Sequence, residues 1–403
     1  MAIIPTAAES DVFEVEVTAL AAGGDGVARD ASGRVTFIPR TAPGDRARVA
    51  IAKATRSFAH ARLVELVRPS ALRVEPPCDA FARGCGGCAW QHVARAAQLD
   101  AKQAIVAGAL RGLAGLAIDR IADPAPALGW RRRARFHVSG GKLGLYAAGS
   151  NDVVAISECP QLEPALAAAL ALIAGRTPPD GELALLLGRT GAIAVGVERP
   201  WRGAAALVGR AGIAGVVAGD FIAGEPIIEV EPGLFGGPWD FQQASAAGNA
   251  ALVELARVAL GRCAPGAPRA LLELHAGAGN LTRAFVADGW TVTASDVARP
   301  PRAIAGATFV AGTAERVLVS FAHSGSRADA IALDPPRTGA AEAIDGIIRL
   351  APKTVVYISC DPATLARDAL KLVAAGYHAE RAWPIDMMPQ TAHVEVVLRL
   401  ART

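Results

Sequence analysis

Two apolar runs in the last third of the chain end in reactive side chains. Ala330-Ile331-Ala332-Leu333 leads into Asp334-Pro335-Pro336-Arg337, and Thr354-Val355-Val356-Tyr357-Ile358-Ser359 leads into Cys360-Asp361-Pro362. Each reads as a buried parallel strand broken at its carboxyl edge by a polar group and a proline. Ligands of open α/β sheets bind at that edge, so Asp334 and Cys360 are expected in one crevice. A carboxylate beside a thiol suggests nucleophilic and acid–base chemistry. The same residues also suit a plainer role. Asp334 could cap the next element, and Cys360 could fill a small core position, because free cysteine is often simply buried.

A second group is Cys78, Cys85 and Cys88, three thiols within eleven residues with glycines at 84, 86 and 87 between them. They form most of a metal site. Cys159, in Ser157-Glu158-Cys159-Pro160, is the best candidate for the fourth ligand, and four thiolates could hold tetrahedral zinc or an iron–sulfur cluster. The spacing is not that of two paired Cys-x-x-Cys knuckles. A third group is His275-Ala276-Gly277-Ala278-Gly279-Asn280, placed after the apolar run Ala270–Leu274 and before a helix. Two glycines there let the backbone approach a ligand at a helix amino terminus. A second strand, Thr291–Ala294, leads to Asp296, seventeen residues after Gly279, where a carboxylate can grip ribose hydroxyls. Dinucleotide dehydrogenases and S-adenosylmethionine methyltransferases share this pattern. The third glycine of the dinucleotide fingerprint is missing after Gly277 and Gly279, which favours the methyltransferase.

The elements around these groups fall into three stretches. Residues 11–68 alternate apolar and polar in four or five short runs separated by Gly23-Gly24-Asp25-Gly26, Ala31-Ser32-Gly33 and Pro43-Gly44-Asp45, which predicts a small OB-type barrel. Residues 91–115 read as a helix. From about 124 to 240 strands predominate, with a helix near 162–175 and a hairpin across Gly140-Gly141; Glu231 to Gln243 reads as a connecting loop. From Ala246 onward, β and α patterns alternate to the end.

Net charge is only +3 over 403 residues, so no global basic field points to a nucleic acid. Residues 69–150, however, carry eleven Lys/Arg against five Asp/Glu, including Arg131-Arg132-Arg133-Ala134-Arg135, either a solvated face or a phosphate-contacting strand. The amino terminus lacks the basic-then-apolar layout of a signal peptide, and the longest Ala/Leu run, Ala165 to Gly175, is too short for a bilayer. The expectation is a cytoplasmic protein that needs no membrane, in which six cysteines have a use other than disulfides.

Taken together, these motifs resemble the bacterial RNA uracil-C5 methyltransferases, which make 5-methyluridine, and within them the iron–sulfur branch acting on large-subunit ribosomal RNA. The resemblance rests on several features beyond those above: Gly24–Ala28 with Phe37–Asp45, which is similar to the TRAM barrel, and Trp130 before the arginine run. It also rests on Phe241-Gln242-Gln243, Leu333–Arg337, Ile358–Pro362 and Asp386-Met387-Met388-Pro389-Gln390-Thr391-Ala392-His393-Val394-Glu395. It implies a Rossmann-like class I methyltransferase domain (246–403) behind a TRAM barrel (1–68) and a β-rich RNA-binding domain with an iron–sulfur cluster (69–245). The helix at 91–115 is then expected to pack on the catalytic domain. It implies Cys360 as nucleophile and Glu395 as base, with Gln243, His275, Asn280, Asp296 and Asp334 around S-adenosylmethionine. It further implies a [4Fe–4S] cluster on Cys78, Cys85, Cys88 and Cys159, an RNA partner and a monomer. The chain departs from the family pattern at His275 (usually aromatic), at Ala276 (usually Cys) and at Ser245 (usually Asn). It is also too short between Asp296 and Thr308 for the usual second helix.

The implied chemistry explains the residue types. A thiolate adding to uracil C6 makes C5 electron-rich enough to take a methyl from a sulfonium, and a base then removes the C5 proton so that the thiolate can leave. The thiol's place beside a strand-to-helix turn is expected to lower its pKa. Other readings are the same reaction on transfer RNA, a TRAM-bearing iron–sulfur redox enzyme, and a non-catalytic RNA-binding protein. The redox enzyme would need a cluster with an open iron, and Cys159 as fourth ligand argues against it.

Overall fold

The computed structural model describes residues 12–267 and 269–402. The chain's first eleven residues, on which the signal-peptide reading partly rests, lie outside them. Three sheets account for most of the strands. The first has six strands: Val12–Glu16, Ala19–Leu20, Gly26–Arg29, Val35–Ile38, Arg46–Ala54 and Phe58–Arg68. It curls around Val15, Ala28, Ile38, Ala47, Val49 and Ala61, contributed by five of the six strands, and Val17, which follows the first of them. Three register shifts between the two longest strands give the bend that such curling needs.

The second sheet has seven strands, running Val153–Ala155, Lys142–Tyr146, Arg133–Ser139, Gly181–Leu187, Ile193–Val197, Ile213–Ala218, Phe221–Gly224. The Gly140-Gly141 hairpin forms as the sequence predicts, with φ of 56° and 76° at the two turn residues, a conformation that glycine adopts without strain. Helix Pro164–Ala174 starts on a proline and covers one face through Leu166, Ala169, Leu170 and Ile173. The stretch read as a loop from Glu231 differs. Ile228–Glu231 and Leu234–Gly236 form a hairpin about Gly233, in runs too short for the alternation to show in sequence.

The third sheet has eight strands in the order Ala307–Ala311, Thr291–Asp296, Ala270–Leu274, Ala330–Leu333, Thr354–Ser359, Glu395–Arg402, Tyr377–Ile385, Ala117–Ile118. The first five are parallel, and Glu395–Arg402 is inserted antiparallel to both its neighbours. Strand order reverses between Ala270–Leu274 and Ala330–Leu333, which opens a crevice at their carboxyl ends. Helix Arg95–Leu110 is shorter than the expected 91–115, because buried Gln91 and His92 form a turn and Val93 bridges to Arg73 before it starts. Its Val106 and Leu110 join Leu272, Ile331, Val355 and Leu398 in one core. Among the described residues, no helix is long and apolar enough to cross a membrane.

Candidate active site

The crevice begins at the turn after Ala270–Leu274. His275 takes φ 59°, rare for a residue with a side chain, and Gly277 and Gly279 follow at 55° and 94°. At Gly279 a Cβ would also come within 2.4 Å of Ile304, so only glycine fits. The amides of Gly277 and Ala298 donate to the Asp296 carboxylate at 2.9 and 3.2 Å, which fixes it at the end of its strand. Gln243, His275, Asn280, Asp296 and Asp334, all singled out from sequence, line one pocket of about 350 Å³. Ala298, Arg299 and Pro300 form part of its wall. The short segment that replaces a second helix is thus itself a lining element. A second recess shares His275 and Asp296 and adds Val297, an apolar side chain left 71% exposed.

The sequence does not single out Glu273, which also lines this pocket. It is buried in an otherwise apolar strand, and burial, with the Asp334 and Asp296 carboxylates nearby, pushes its pKa up to about 8. A charged residue inside an apolar strand is the signal that could have flagged it. Asn280 is less free than expected: it exchanges hydrogen bonds of 2.7 and 3.0 Å with Asn249 of helix Ala246–Leu260. Ser245, the departure from the family's Asn, caps that helix by accepting from the Gly248 amide at 3.0 Å. Either residue type can make that cap.

A larger cleft of about 1030 Å³ lies alongside, and Phe241, Gln242 and Gln243 line both cavities. Its floor holds Cys360 and Glu395. The antiparallel register ends at Ser359 opposite Val396, so the next residues, Cys360 and Glu395, face each other at the ends of adjacent strands. The expected lowering of the thiol pKa is not found. Burial, then the Glu395 and Asp334 carboxylates, push Cys360 up to about 11, with the Arg337 cation opposing. The helix amides that would have helped are occupied, since Asp361 accepts from Ala363 and Thr364 at 2.9 and 3.0 Å. Burial also raises Asp334 and Glu395. Arg337 reaches His393 Nε2 at 3.0 Å across the cleft. Burial, and then Arg337, hold that imidazole down to about 4, so it is neutral at physiological pH. Arg337 belongs to a motif quoted above, but nothing in the sequence points it at His393.

Cys78, Cys85, Cys88 and Cys159 line a separate cavity together with Gln91, Arg131 and Gln161. All are free thiols, and burial raises Cys85, Cys88 and Cys159, Cys88 to about 11. Among the described residues, no three His, Cys, Asp or Glu are gathered tightly enough to hold a metal ion as they stand. The wall nonetheless carries two buried donors without a partner, Arg131 Nε and Gln161 Nε2. Such donors suit an anionic, sulfur-rich occupant. The arginine run divides. Arg132 is buried against Glu231 at 2.7 Å and the carbonyls of Val230 and Gln243, whereas Arg131, Arg133 and Arg135 line the large cleft.

A reversing parallel sheet with a glycine turn, an acid after its second strand and a thiol–carboxylate pair at its edge is the architecture of a methyltransferase. The Pyrococcus abyssi tRNA (uracil-54, C5)-methyltransferase, solved with S-adenosyl-L-homocysteine, superposes with a TM-score of 0.74 at 20% identity, covering 96% of this chain and all of that one. Residues 8–64 match the TRAM domain, and residues 322–403 match the tRNA (Uracil-5-)-methyltransferase family. The 23S rRNA (uracil(1939)-C(5))-methyltransferase RlmD of Marinomonas is 32% identical over 96% of this chain and 94% of its own length. The RlmD of Pseudomonas putida is 32% identical over 95% and 92%. The chain belongs to the S-adenosylmethionine-dependent RNA uracil-C5 methyltransferases.

Proposed function

We propose that this enzyme methylates C5 of a uridine in large-subunit ribosomal RNA through a covalent Cys360 adduct. The observation that carries the mechanism is the register that sets Cys360 opposite Glu395, in a cleft sharing a wall with the donor pocket. The names of the full-length relatives support the choice of RNA. Glu273, Asp296 and Asp334 make the donor pocket acidic, which suits a ligand with a sulfonium and an ammonium group. Val297 offers an apolar surface beside Asp296 for a flat ring.

Uracil C5 is a poor nucleophile. The Cys360 thiolate adds to C6, and the ring electrons move into an enolate that makes C5 reactive. S-adenosylmethionine, when bound, supplies a methyl group on a positively charged sulfur. Glu395 then takes the C5 proton, the C5–C6 double bond re-forms and the thiolate is expelled. Arg337 is the cation that favours the thiolate against its carboxylate neighbours. To reach Cys360 the target base must leave its stack, and the barrel with Arg131, Arg133 and Arg135 would hold the surrounding strand.

Cys78, Cys85, Cys88 and Cys159 are proposed to hold a [4Fe–4S] cluster with a structural role, clamping the loop between the barrel and helix Arg95–Leu110. The two unpartnered donors at that cavity support a sulfur-rich group. The proposed reaction is tested with ribosomal RNA carrying 5-fluorouridine. Fluorine at C5 leaves no proton for Glu395 to take, so a methylated covalent complex should persist on a denaturing gel. Turnover without any trapped complex would refute covalent addition. A map of 5-methyluridine in ribosomal and transfer RNA, with and without the gene, tests the choice of substrate.

A further inference from the structure

Strand Arg133–Ser139 turns Ala134, Phe136 and Val138 into the core of the central sheet and leaves Arg133, Arg135 and His137 on its other face. On that face each basic residue has an aromatic partner. The Arg133 guanidinium lies 5.5 Å from the Phe241 ring, and that of Arg135 lies 5.6 Å from Trp239. His137 stacks on Tyr146 at 3.8 Å with 12° between planes. Phe241 and Tyr146 are 70% and 38% exposed.

The local structure holds this row in place. Trp239 rests on Gly196 of strand Ile193–Val197, where a Cβ would come within 2.6 Å of the ring. The Gly86 amide donates to the Tyr146 carbonyl at 2.9 Å, tying the far end to the cysteine loop. Single exposed aromatics on a sheet are ordinary. Three basic–aromatic pairs at every second residue of one strand are not, and the row begins inside the catalytic cleft, which Arg133, Arg135 and Phe241 line. Successive positions on one face stand about 7 Å apart, of the order of the phosphate spacing in an extended single strand.

We propose that this row is a track for the unpaired nucleotides on one side of the target uridine. It rests on the reading of the enzyme as an RNA methyltransferase. Arg133 and Arg135 would meet phosphates, Arg135 keeping Glu182 at 3.4 Å as its resting partner. Bases would stack on Trp239 and on the exposed Tyr146 ring, contacts that tolerate any sequence.

The test uses two single-stranded RNA probes: a short one confined to the target uridine and its neighbours, and the same RNA extended by about six nucleotides on either side in turn. One extension should raise affinity for the wild type. Tyr146→Ala should cut affinity for that extended probe about tenfold, the size of one lost base–aromatic stack, and leave the short probe unchanged. Tyr146→Phe should behave as wild type. A 2-aminopurine placed in the extension should be quenched by the wild type and not by Tyr146→Ala. Equal effects on both probes, or none on either, would overturn the track, as would a gain that appears only when the extension is base-paired. A wild-type enzyme that binds neither probe and methylates no RNA would instead overturn the reading beneath it.

Discussion

Lys102 Nζ donates to the Asp386 carboxylate at 2.6 Å with both side chains wholly buried. The two residues are 284 positions apart in the chain. Lys102 lies on helix Arg95–Leu110, and Asp386 opens the loop that ends in His393 and Glu395. Lys102 also donates to the Met388 carbonyl at 3.1 Å, and the loop's Gln390 trades bonds of 2.9 and 3.0 Å with Gln98 of the same helix. The floor of the cleft is therefore pinned from the amino-terminal half. Burial lowers the Lys102 pKa to about 8 against the pull of Asp386.

Breaking that pair from one side should be expensive. Lys102→Met leaves Asp386 buried with only Arg95, which is part-exposed, as cation. A loss of about 3–5 kcal/mol is expected from urea unfolding. Lys102→Met with Asp386→Leu should recover a large part of it, because no orphaned buried charge remains. A double variant as unstable as the single ones would mean that the pair itself, and not the stranded charge, carries the stability.

The Cys360 environment fixes a pH dependence. Its thiol is pushed up to about 11, so the thiolate is the minor form at neutral pH and grows as pH rises. The rate of adduct formation with 5-fluorouridine RNA should climb about tenfold per pH unit on the acid side of that value. Arg337→Gln removes the cation that favours the thiolate, so its rates should be lower at each pH and its profile displaced to the alkaline side. A wild-type profile that is flat through neutrality would show that the thiol loses its proton by another route.

The parallel part of the third sheet is legible in the sequence because Ala330–Leu333 and Thr354–Ser359 are buried runs that end abruptly in Asp334 and Cys360, and Thr291–Asp296 ends in its own carboxylate. The spacing of the cysteines likewise anticipated that they share one cavity. What it hid depends on distant contacts. Lys102 on a mixed helix reads as a solvent residue until Asp386 is known to lie beneath it. Ala117–Ile118, two residues long, carries no periodicity, yet it edges the catalytic sheet. The direction of the Cys360 shift is not legible in sequence, because it depends first on burial, then on Glu395 arriving from another strand, while Asp361 turns back to cap its own helix.

Protein made and purified without oxygen should be brown and contain iron. Cys159→Ser should lose the colour. Cys263→Ser should keep it, since Cys263 packs near Asp288 and Gly289, away from the cysteine cavity. Metal analysis and the visible spectrum decide the matter. Zinc at one atom per chain with no iron would remove the cluster and leave the methyltransferase reading standing.

The two residues at the strand ends should fail at different points of the reaction. Cys360→Ala should bind RNA and the methyl donor yet form no covalent complex, because the thiol that adds to C6 in the proposed reaction is gone. Glu395→Gln should add and methylate, then stall, because the C5 proton has no acceptor. On a denaturing gel with labelled methyl donor, a shifted band is expected in Glu395→Gln and absent from Cys360→Ala. Water can remove the proton slowly, so the Glu395→Gln band should be strongest at early times and fade. The substitution also takes a carboxylate from beside the thiol, one of the charges that raise its pKa. Addition should therefore be no slower than in the wild type while release is slower. Normal turnover by Glu395→Gln, or a covalent band surviving in Cys360→Ala, would reverse the assignment of roles.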